Sequence, residues 1–458
     1  MRLQAWLVVL LPVCLAGAAE LRVGAAAVKI TPPAGAPMAG YYFNRAAEGV
    51  HDDLYAKALV FDVGGERAAL VACDVEGLPR PIIEAARKRI EAATGIAAGR
   101  VMISATHSHT GPVILGGDRY NLEGRMFEIA TQYARDLPGM ISSAVEQASK
   151  HLEGASVAAA VGREATLTFN RRFHMKDGSI GWNPGKLNPD VIRPAGPTDP
   201  DVPVVTFQTA AGAPLAAYVN YAMHLDTVGG MQYSADYPYT LSKLLAGARS
   251  PGLLTMFTIG CAGNLNHIDV KWADAQSGHA EAARIGTILA AEVLKTMRRA
   301  EAVPTDKLRV RSAVVAMPLQ EVRPGELEWA RKITPLFGKP DAAPFMDLVR
   351  AFRVEEVAEL HGKPIDAEVQ VIAIGDQLAW VGLPGEVFTE LGMAIKTASP
   401  FRYTIVAELA NGSPGYIANR KAYAEGAYEP VSARCGPGSG EMLVDAATRL
   451  LVEMKETR

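Results

Sequence analysis

Apolar residues along the chain fall into two rhythms, short unbroken runs and stripes at helical spacing, and the runs repeatedly end in polar residues. Runs at 56–61 and 68–72 flank Gly64-Gly65 and predict a hairpin whose second strand ends at Cys73-Asp74. Behind Pro81, residues Ile82, Ala86, Ile90 and Ala93 recur at helical spacing, with Gly95 as a stop. The next strand, 101–106, delivers His107. The pattern returns at 204–209 and 215–222, the latter leading into Met223-His224, and again at 253–259, followed by a helix over about 280–297. A second hairpin, 367–374 and 378–381, runs into Gly382-Leu383-Pro384-Gly385-Glu386. Behind it a helix is predicted with Val387, Leu391 and Ile395 as its apolar stripe. Strands alternating with helices, with polar residues at the strand exits, predict an α/β fold of mixed β-sheets with flanking helices.

Over 309–363 the sequence turns more polar and less periodic and is broken by Pro324, Pro335, Pro340 and Pro344. It reads as an insertion or lid-like segment within a single domain spanning 20–458. At the other end, Met1-Arg2, an apolar stretch to Leu15 and the small residues Ala16-Gly17-Ala18 have the form of a signal peptide over 1–19. The stretch is short for a membrane span. An exported protein, periplasmic or secreted, is therefore expected. Beyond the leader the cysteines are Cys73, Cys261 and Cys435, an odd number too widely spread to form a disulfide framework, although one bridge is open to them. A formal charge of −3 with no Lys/Arg-rich run argues against a nucleic-acid partner.

Candidate chemistry gathers at the strand exits. His107-Ser108-His109 follows an apolar run, and residues at i and i+2 of a strand point to the same side, so the two imidazoles are read either as metal ligands or as loop residues. His224, at another strand exit, is either a ligand or a hydrogen-bonded structural residue. Glu386 suits zinc through a carboxylate oxygen, or else the N-terminus of the following helix. Tyr416 and Tyr428, in a C-terminal segment rich in Gly, Pro and Tyr, either pack that loop or present phenols to a metal or an oxyanion. Arg171 and Arg172 form a solvated pair, or one of them binds negative charge in a cleft. His51-Asp52-Asp53 and Asp236 read as a turn and a loop cap, and His174, His267 and His279 have no evident partner in sequence.

Taken in order, these segments resemble the catalytic domain of the neutral, non-lysosomal ceramidase family. Ala105-Thr106-His107-Ser108-His109-Thr110-Gly111-Pro112 is similar to that family's Thr-His-Thr-His-Ser-Gly-Pro segment. Asn220-Tyr221-Ala222-Met223-His224 resembles its second histidine segment, Pro384-Gly385-Glu386 its Pro-Gly-Glu, and the 416–428 stretch its tyrosine loop. The resemblance implies zinc bound by His107, His224, Glu386 and Tyr416, with His109, Arg171 and Tyr428 around the scissile carbonyl. It further implies hydrolysis of the amide bond of an N-acyl sphingoid, a step in sphingolipid metabolism. Zinc suits that reaction because it lowers the pKa of bound water from about 15.7 to about 7.

Two departures qualify the implied substrate. Gly263-Asn264-Leu265-Asn266-His267 stands where the family carries Gly-Asp-Val-Ser-Pro-Asn, so Asn266 replaces a serine assigned to the active site, and an amide cannot act as a hydroxyl nucleophile. Asn266 is left a role in positioning substrate. The small β-sandwich that follows the family's catalytic domain has no counterpart here. The expectation is thus a zinc-dependent amidohydrolase for a small-molecule or lipid N-acyl substrate, with peripheral contact to a membrane surface and no obligate protein partner. The alternatives are a same-fold zinc enzyme for a smaller polar substrate and a metal-stabilised binding protein without catalysis.

Overall fold

The computed structural model describes residues 20–114, 122–339 and 342–456. The expected leader and Pro340 lie outside the described residues. Strands β1 (Leu21–Lys29), β2 (Tyr55–Val63), β3 (Glu66–Cys73), β4 (Val101–Ala105), β5 (Glu153–Arg163), β6 (Asp201–Thr209), β7 (Pro214–Tyr221) and β8 (Leu254–Ile259) form one large sheet. Its order is β8-β7-β6-β5-β1-β2-β3-β4, with the short strand Glu301–Ala302 added against β5. Neighbours are antiparallel except β3 with β4 and β7 with β8. Parallel neighbours need a crossover, and helices α1 (Arg80–Thr94) and α3 (Tyr237–Arg249) lie in those two connections. α1 starts with a proline in its first turn and ends at Gly95, whose φ of 74° lets its N–H bond back to Glu91 O.

A second sheet of β9 (Leu308–Met317), β10 (Ile365–Ile374), β11 (Leu378–Gly382) and β12 (Tyr403–Ala407) runs in that order, with β11 and β12 parallel. One face of the large sheet packs on α1, α2 (Gly124–Lys150), α3 and α4 (His279–Met297) through side chains such as Ile83, Ile141, Leu241 and Leu289. Its other face meets the second sheet around Phe61, Phe207, Tyr218 and Trp380, with Phe61 and Trp380 stacked at 5.6 Å. α7 (Thr389–Ala398) and α10 (Ser439–Glu456) cover the far side of the second sheet.

β4 and β8 are the two ends of the large sheet, yet one strip of chain joins them. Glu408 N–H donates to Ile259 O at 3.2 Å, Ala105 N–H to Leu409 O at 3.1 Å, and Asn411 N–H to Ile103 O at 2.8 Å. The residues just beyond β12 thus bridge both edges and draw together strand exits from the two ends of the strand order.

Three expectations change in detail. The polar stretch from 309 opens as β9, an edge strand paired along its whole length with β10, whose outward-facing residues give it the polar look. The rest of that segment carries α5 (Glu326–Ile333) and α6 (Phe345–Glu359). The helix expected from Val387 starts at Thr389, because Glu386–Val387 form a short strand parallel to Tyr416–Ile417. Cys73, Cys261 and Cys435 are buried free thiols.

A buried ion pair ties α1 to β10. Arg87 donates to Glu368 through Nη1 at 2.8 Å and Nη2 at 3.1 Å, and its Nε bonds Val101 O at 2.9 Å. Arg87→Met leaves Glu368 as a buried charge without its partner and is expected to destabilise the protein by about 3–5 kcal/mol. The urea midpoint measures the loss, and adding Glu368→Gln should recover part of it.

Candidate metal centre

His107 lies past the end of β4 in the left-handed backbone region, with φ 76°, so the same-side argument for i and i+2 of a strand does not hold it beside His109. The chain turns there instead, and the two rings meet edge to face at 4.8 Å between centroids. His224 arrives from beyond β7 at 4.6 Å from the His107 ring, and the segments run side by side where His109 N–H donates to Leu225 O at 3.0 Å. Gly40 permits this packing: a Cβ there would fall 2.7 Å from His109 Cβ. Glu386 enters on its short strand, behind Gly385 at φ 78°, a conformation in which a side chain would be strained.

Hydrogen bonds fix the tautomers of two of these histidines. His107 Nδ1 faces Glu76 O at 2.8 Å and His224 Nδ1 faces Ala262 O at 2.9 Å. A carbonyl can only accept, so each Nδ1 carries the proton and each Nε2 turns a lone pair inward. Glu386 Oε2 lies 3.3 Å from both Nε2 atoms and is buried without satisfying hydrogen-bond geometry to either. Three acceptor atoms thus converge where a cation would relieve their repulsion. Ligand atoms about 2.0–2.1 Å from a tetrahedral zinc lie roughly 3.3 Å from one another, which is the spacing found. The donor set of imidazole nitrogens and a carboxylate fits a zinc ion on chemical grounds as well.

Two more side chains compete for the description. His109 Nε2 stands 3.2 Å from His107 Nε2, and the nitrogens of His107, His109 and His224 together form a group able to hold a metal. Its Nδ1 is buried without a hydrogen bond. Tyr416 presents its hydroxyl to Arg171 Nη2 at 3.0 Å and is electrostatically coupled to Glu386.

The charges of the site are set by burial and by one another. Burial opposes a charge on His107, but the Glu386 carboxylate overrides it and pushes the imidazole up to about 9, so a proton or a cation at Nε2, one in place of the other, balances the carboxylate. Burial, reinforced by nearby cations, holds both His109 and His224 below the usual imidazole range. Glu386 is held well below the usual carboxylate range despite its burial, because His107 and His224 face it. Burial lifts the Tyr416 phenol well above its ordinary value, so it stands as a neutral hydroxyl.

Arg171 is buried, and its guanidinium is fully directed: Nε to Glu429 Oε1 at 2.8 Å, Nη2 to Gly263 O at 2.7 Å, and Nη1 toward His224 Nε2 at 3.3 Å. Arg172 is buried too, bonding the other oxygen of Glu429 at 2.9 Å, so the two arginines share one carboxylate and are not a solvated pair. Tyr428 lies 5.4 Å from the Tyr416 ring and 4.3 Å from Trp182. Arg171, Tyr416 and Tyr428 line a cleft of about 670 Å³ whose wall includes Tyr41, Phe43, Trp182, Phe345 and Asp226. Asn266 stands behind that wall: its Nδ2 donates to Oδ1 of Asn183, which lines the cleft.

Sequence reading missed several participants. Glu76 and Ala262 act through backbone carbonyls, which no side-chain identity reveals. Glu429 sits beside Tyr428 in a segment already singled out, and its partner Arg171 was the available signal. His267 pairs with Asp226 at 3.1 Å, and that contact holds Asp226 low against the effect of its burial. Asp236 caps α3 as expected, its Oδ1 accepting from Tyr237 N–H at 2.6 Å. His51 contacts Asp52 at 2.8 Å and stacks on His279 at 3.7 Å, away from the histidine group, and His174 lies on the strand Arg172–Met175.

Among solved structures the chain is similar to the neutral ceramidase from Pseudomonas aeruginosa, with a TM-score of 0.73 and 21% identity over 95% of this chain and 75% of that one. It is also similar to a ceramidase complexed with C2, with a TM-score of 0.70 and 19% identity over 95% of this chain and 76% of the other. No family model matches the chain, and neither does any curated protein. The structural likeness establishes a ceramidase-like α/β fold, in line with the ordered motifs of the sequence.

Purified protein is expected to hold one metal ion per chain after dialysis, as read by elemental analysis. His107→Ala and Glu386→Gln should each lose it, since either change leaves an incomplete donor set. His151→Ala, at an exposed histidine, should keep it. Full occupancy in the first two variants would refute the assignment.

Proposed function

We propose that the protein is an exported zinc-dependent hydrolase of amide bonds, acting on N-acyl amines of the ceramide type. The observation that carries the reading is the convergence of His107 Nε2, His224 Nε2 and the orphaned Glu386 Oε2, with His107 and Glu386 lining a small cavity that shares His109, Tyr416 and Tyr428 with the wider aromatic-walled cleft. The ceramidase-like fold and the leader pattern at 1–19 support it. His107, His224, Glu386 and Tyr416 would hold the ion, which supplies Lewis acidity and lowers the pKa of water from about 15.7 to about 7.

The chain's own groups do the remaining work. Arg171, oriented by Glu429 and Gly263 O, carries a fixed positive charge into the wall of the cleft beside His224. Burial disfavours that charge, but Tyr416 and Glu429 hold it firmly in place. Preorganised charge of this kind stabilises an oxyanion developing on the substrate carbonyl without reorganising during the reaction. Tyr428, adjoining Tyr416 across the same wall, is placed to donate its phenolic hydrogen to that oxyanion. His109 lines the cleft with its Nδ1 buried and without a hydrogen bond, and it is the group we assign to relay a proton from water to the departing amine. Asn266 offers no hydroxyl, and its part is to hold Asn183 in the cleft wall.

The test is release of fatty acid from ceramides and from short N-acyl amines by the metal-loaded protein. Hydrolysis of either series supports the reading, and stoichiometric metal with no release from any of them overturns it. Tyr428→Phe should lower kcat by roughly 10²–10³-fold, the usual cost of removing one oxyanion donor, with KM little changed. Steady-state kinetics on the best substrate measures both.

A further inference from the structure

Two residues beyond His224, Asp226 turns its carboxylate into the cleft, and its side chain remains 23% exposed. One oxygen, Oδ1, faces His267 Nδ1 at 3.1 Å, while the opposite ring nitrogen of His267 faces Gln276 O at 2.6 Å. Both partners of this ring are acceptors, so each nitrogen must donate, and His267 is an imidazolium paired with a carboxylate. Gln276 is itself buried and anchored, its Nε2 donating to Asp269 O at 3.0 Å and Trp272 O at 3.1 Å, so His267 is braced from behind. Among the described residues, Oδ2 of Asp226 has no hydrogen-bond partner, and the residue lines the cleft.

The surroundings of that oxygen favour a particular kind of ligand. The same wall carries the ring of Trp182, and aromatic faces attract cations through their quadrupoles, while the Tyr41 and Phe43 rings are already faced by the Arg45 guanidinium at 4.3 Å and 5.8 Å. Arg171, a cation of the same wall, is already engaged by Glu429 and does not pair with Asp226. An ionised carboxylate forms its strongest hydrogen bonds with charged donors. His267, the partner of Asp226, directly follows Asn266, which stands where the family carries a serine.

We propose that Asp226, braced by His267, is a specificity-determining residue that receives a protonated amino group on the amine half of the substrate. The inference rests on the proposed amide hydrolysis for the role of the site, but its test reads binding and turnover separately. A neutral alkyl chain in that position would leave the free carboxylate oxygen without a donor in a cleft emptied of water, which disfavours a purely apolar amine half.

Calorimetry on the metal-loaded protein with n-hexylammonium, n-hexanol and n-heptane-sized neutral amides as probes reads the subsite without requiring catalysis. The ammonium should bind at least about tenfold more tightly than the alcohol, a preference that weakens as salt is raised. Asp226→Asn, close to isosteric, should abolish the preference, and Asp226→Glu should restore part of it. In parallel, release of butanoate from N-butanoyl-1,3-diaminopropane, N-butanoyl-3-aminopropanol and N-butanoyl-butylamine should show the lowest KM for the diamine, and only while Asp226 is present. Equal binding of ammonium and alcohol by the unaltered protein overturns the proposal, as does a preference that survives in Asp226→Asn. If the asparagine variant does not fold, the salt dependence and probe ranking of the unaltered protein still decide. Ammonium-selective binding without any amide hydrolysis would sink the proposed reaction and leave this subsite standing; hydrolysis with the butylamine compound preferred would do the reverse.

Discussion

Everything at the centre of this molecule depends on the bridging of a sheet by a strip of chain that belongs to neither edge. β4 and β8 stand at opposite ends of the strand order, and residues 408–411 bond to both. That bridge acts together with the direct bond from His109 N–H to Leu225 O in bringing His107 and His224, delivered from the two sides, to one place. The same strip continues toward Tyr416, whose short strand pairs with Glu386, so the main-chain bonds that join the edges also bring in the carboxylate and the phenol.

Several of the buried charged groups have a counterpart that makes their burial tolerable. Glu429 is shared between Arg171 and Arg172, Glu368 is engaged bidentately by Arg87, and Asp226 faces His267. Such pairs offset one another's desolvation when their geometry is good. Glu408, buried with Oε1 unbonded, is one exception, and the histidine and glutamate group, where acceptor atoms gather about one point, is another. Its Glu386 oxygen has no hydrogen bond, although the backbone around it is satisfied by Gly415 O and by the strand pairing. An unbalanced spot inside a largely balanced interior is where a charged ligand belongs.

The hairpins at 55–73 and 365–382 and the helix at 279–297 were legible because local periodicity and turn residues agree with the tertiary fold. β9 was obscured because an edge strand shows solvent one face and loses its hydrophobic signature. Within the candidate site, His107, His224, Glu386 and Tyr416 were legible through the order of short motifs, and they are found together. The geometry joining His107 to His109 was not, since it comes from a left-handed turn at His107 and not from strand alternation. The carbonyls of Glu76 and Ala262, and the pairing of Asp226 with His267, were hidden because they arise only when distant segments pack.

The strip at 408–411 also has a temporal meaning. Its bonds to Ile103 and Ala105 close a loop of more than three hundred residues, so this junction is among the most non-local in the chain. Contacts of such separation form late, after the loop-closure entropy has been met by earlier packing. A nascent or truncated chain that lacks these residues has two unjoined strand exits and no converged donor set. Any ion bound there would favour only the completed protein, adding stability by mass action at the last step of assembly. Occupancy of the centre would therefore serve as a chemical record that the whole chain has arrived.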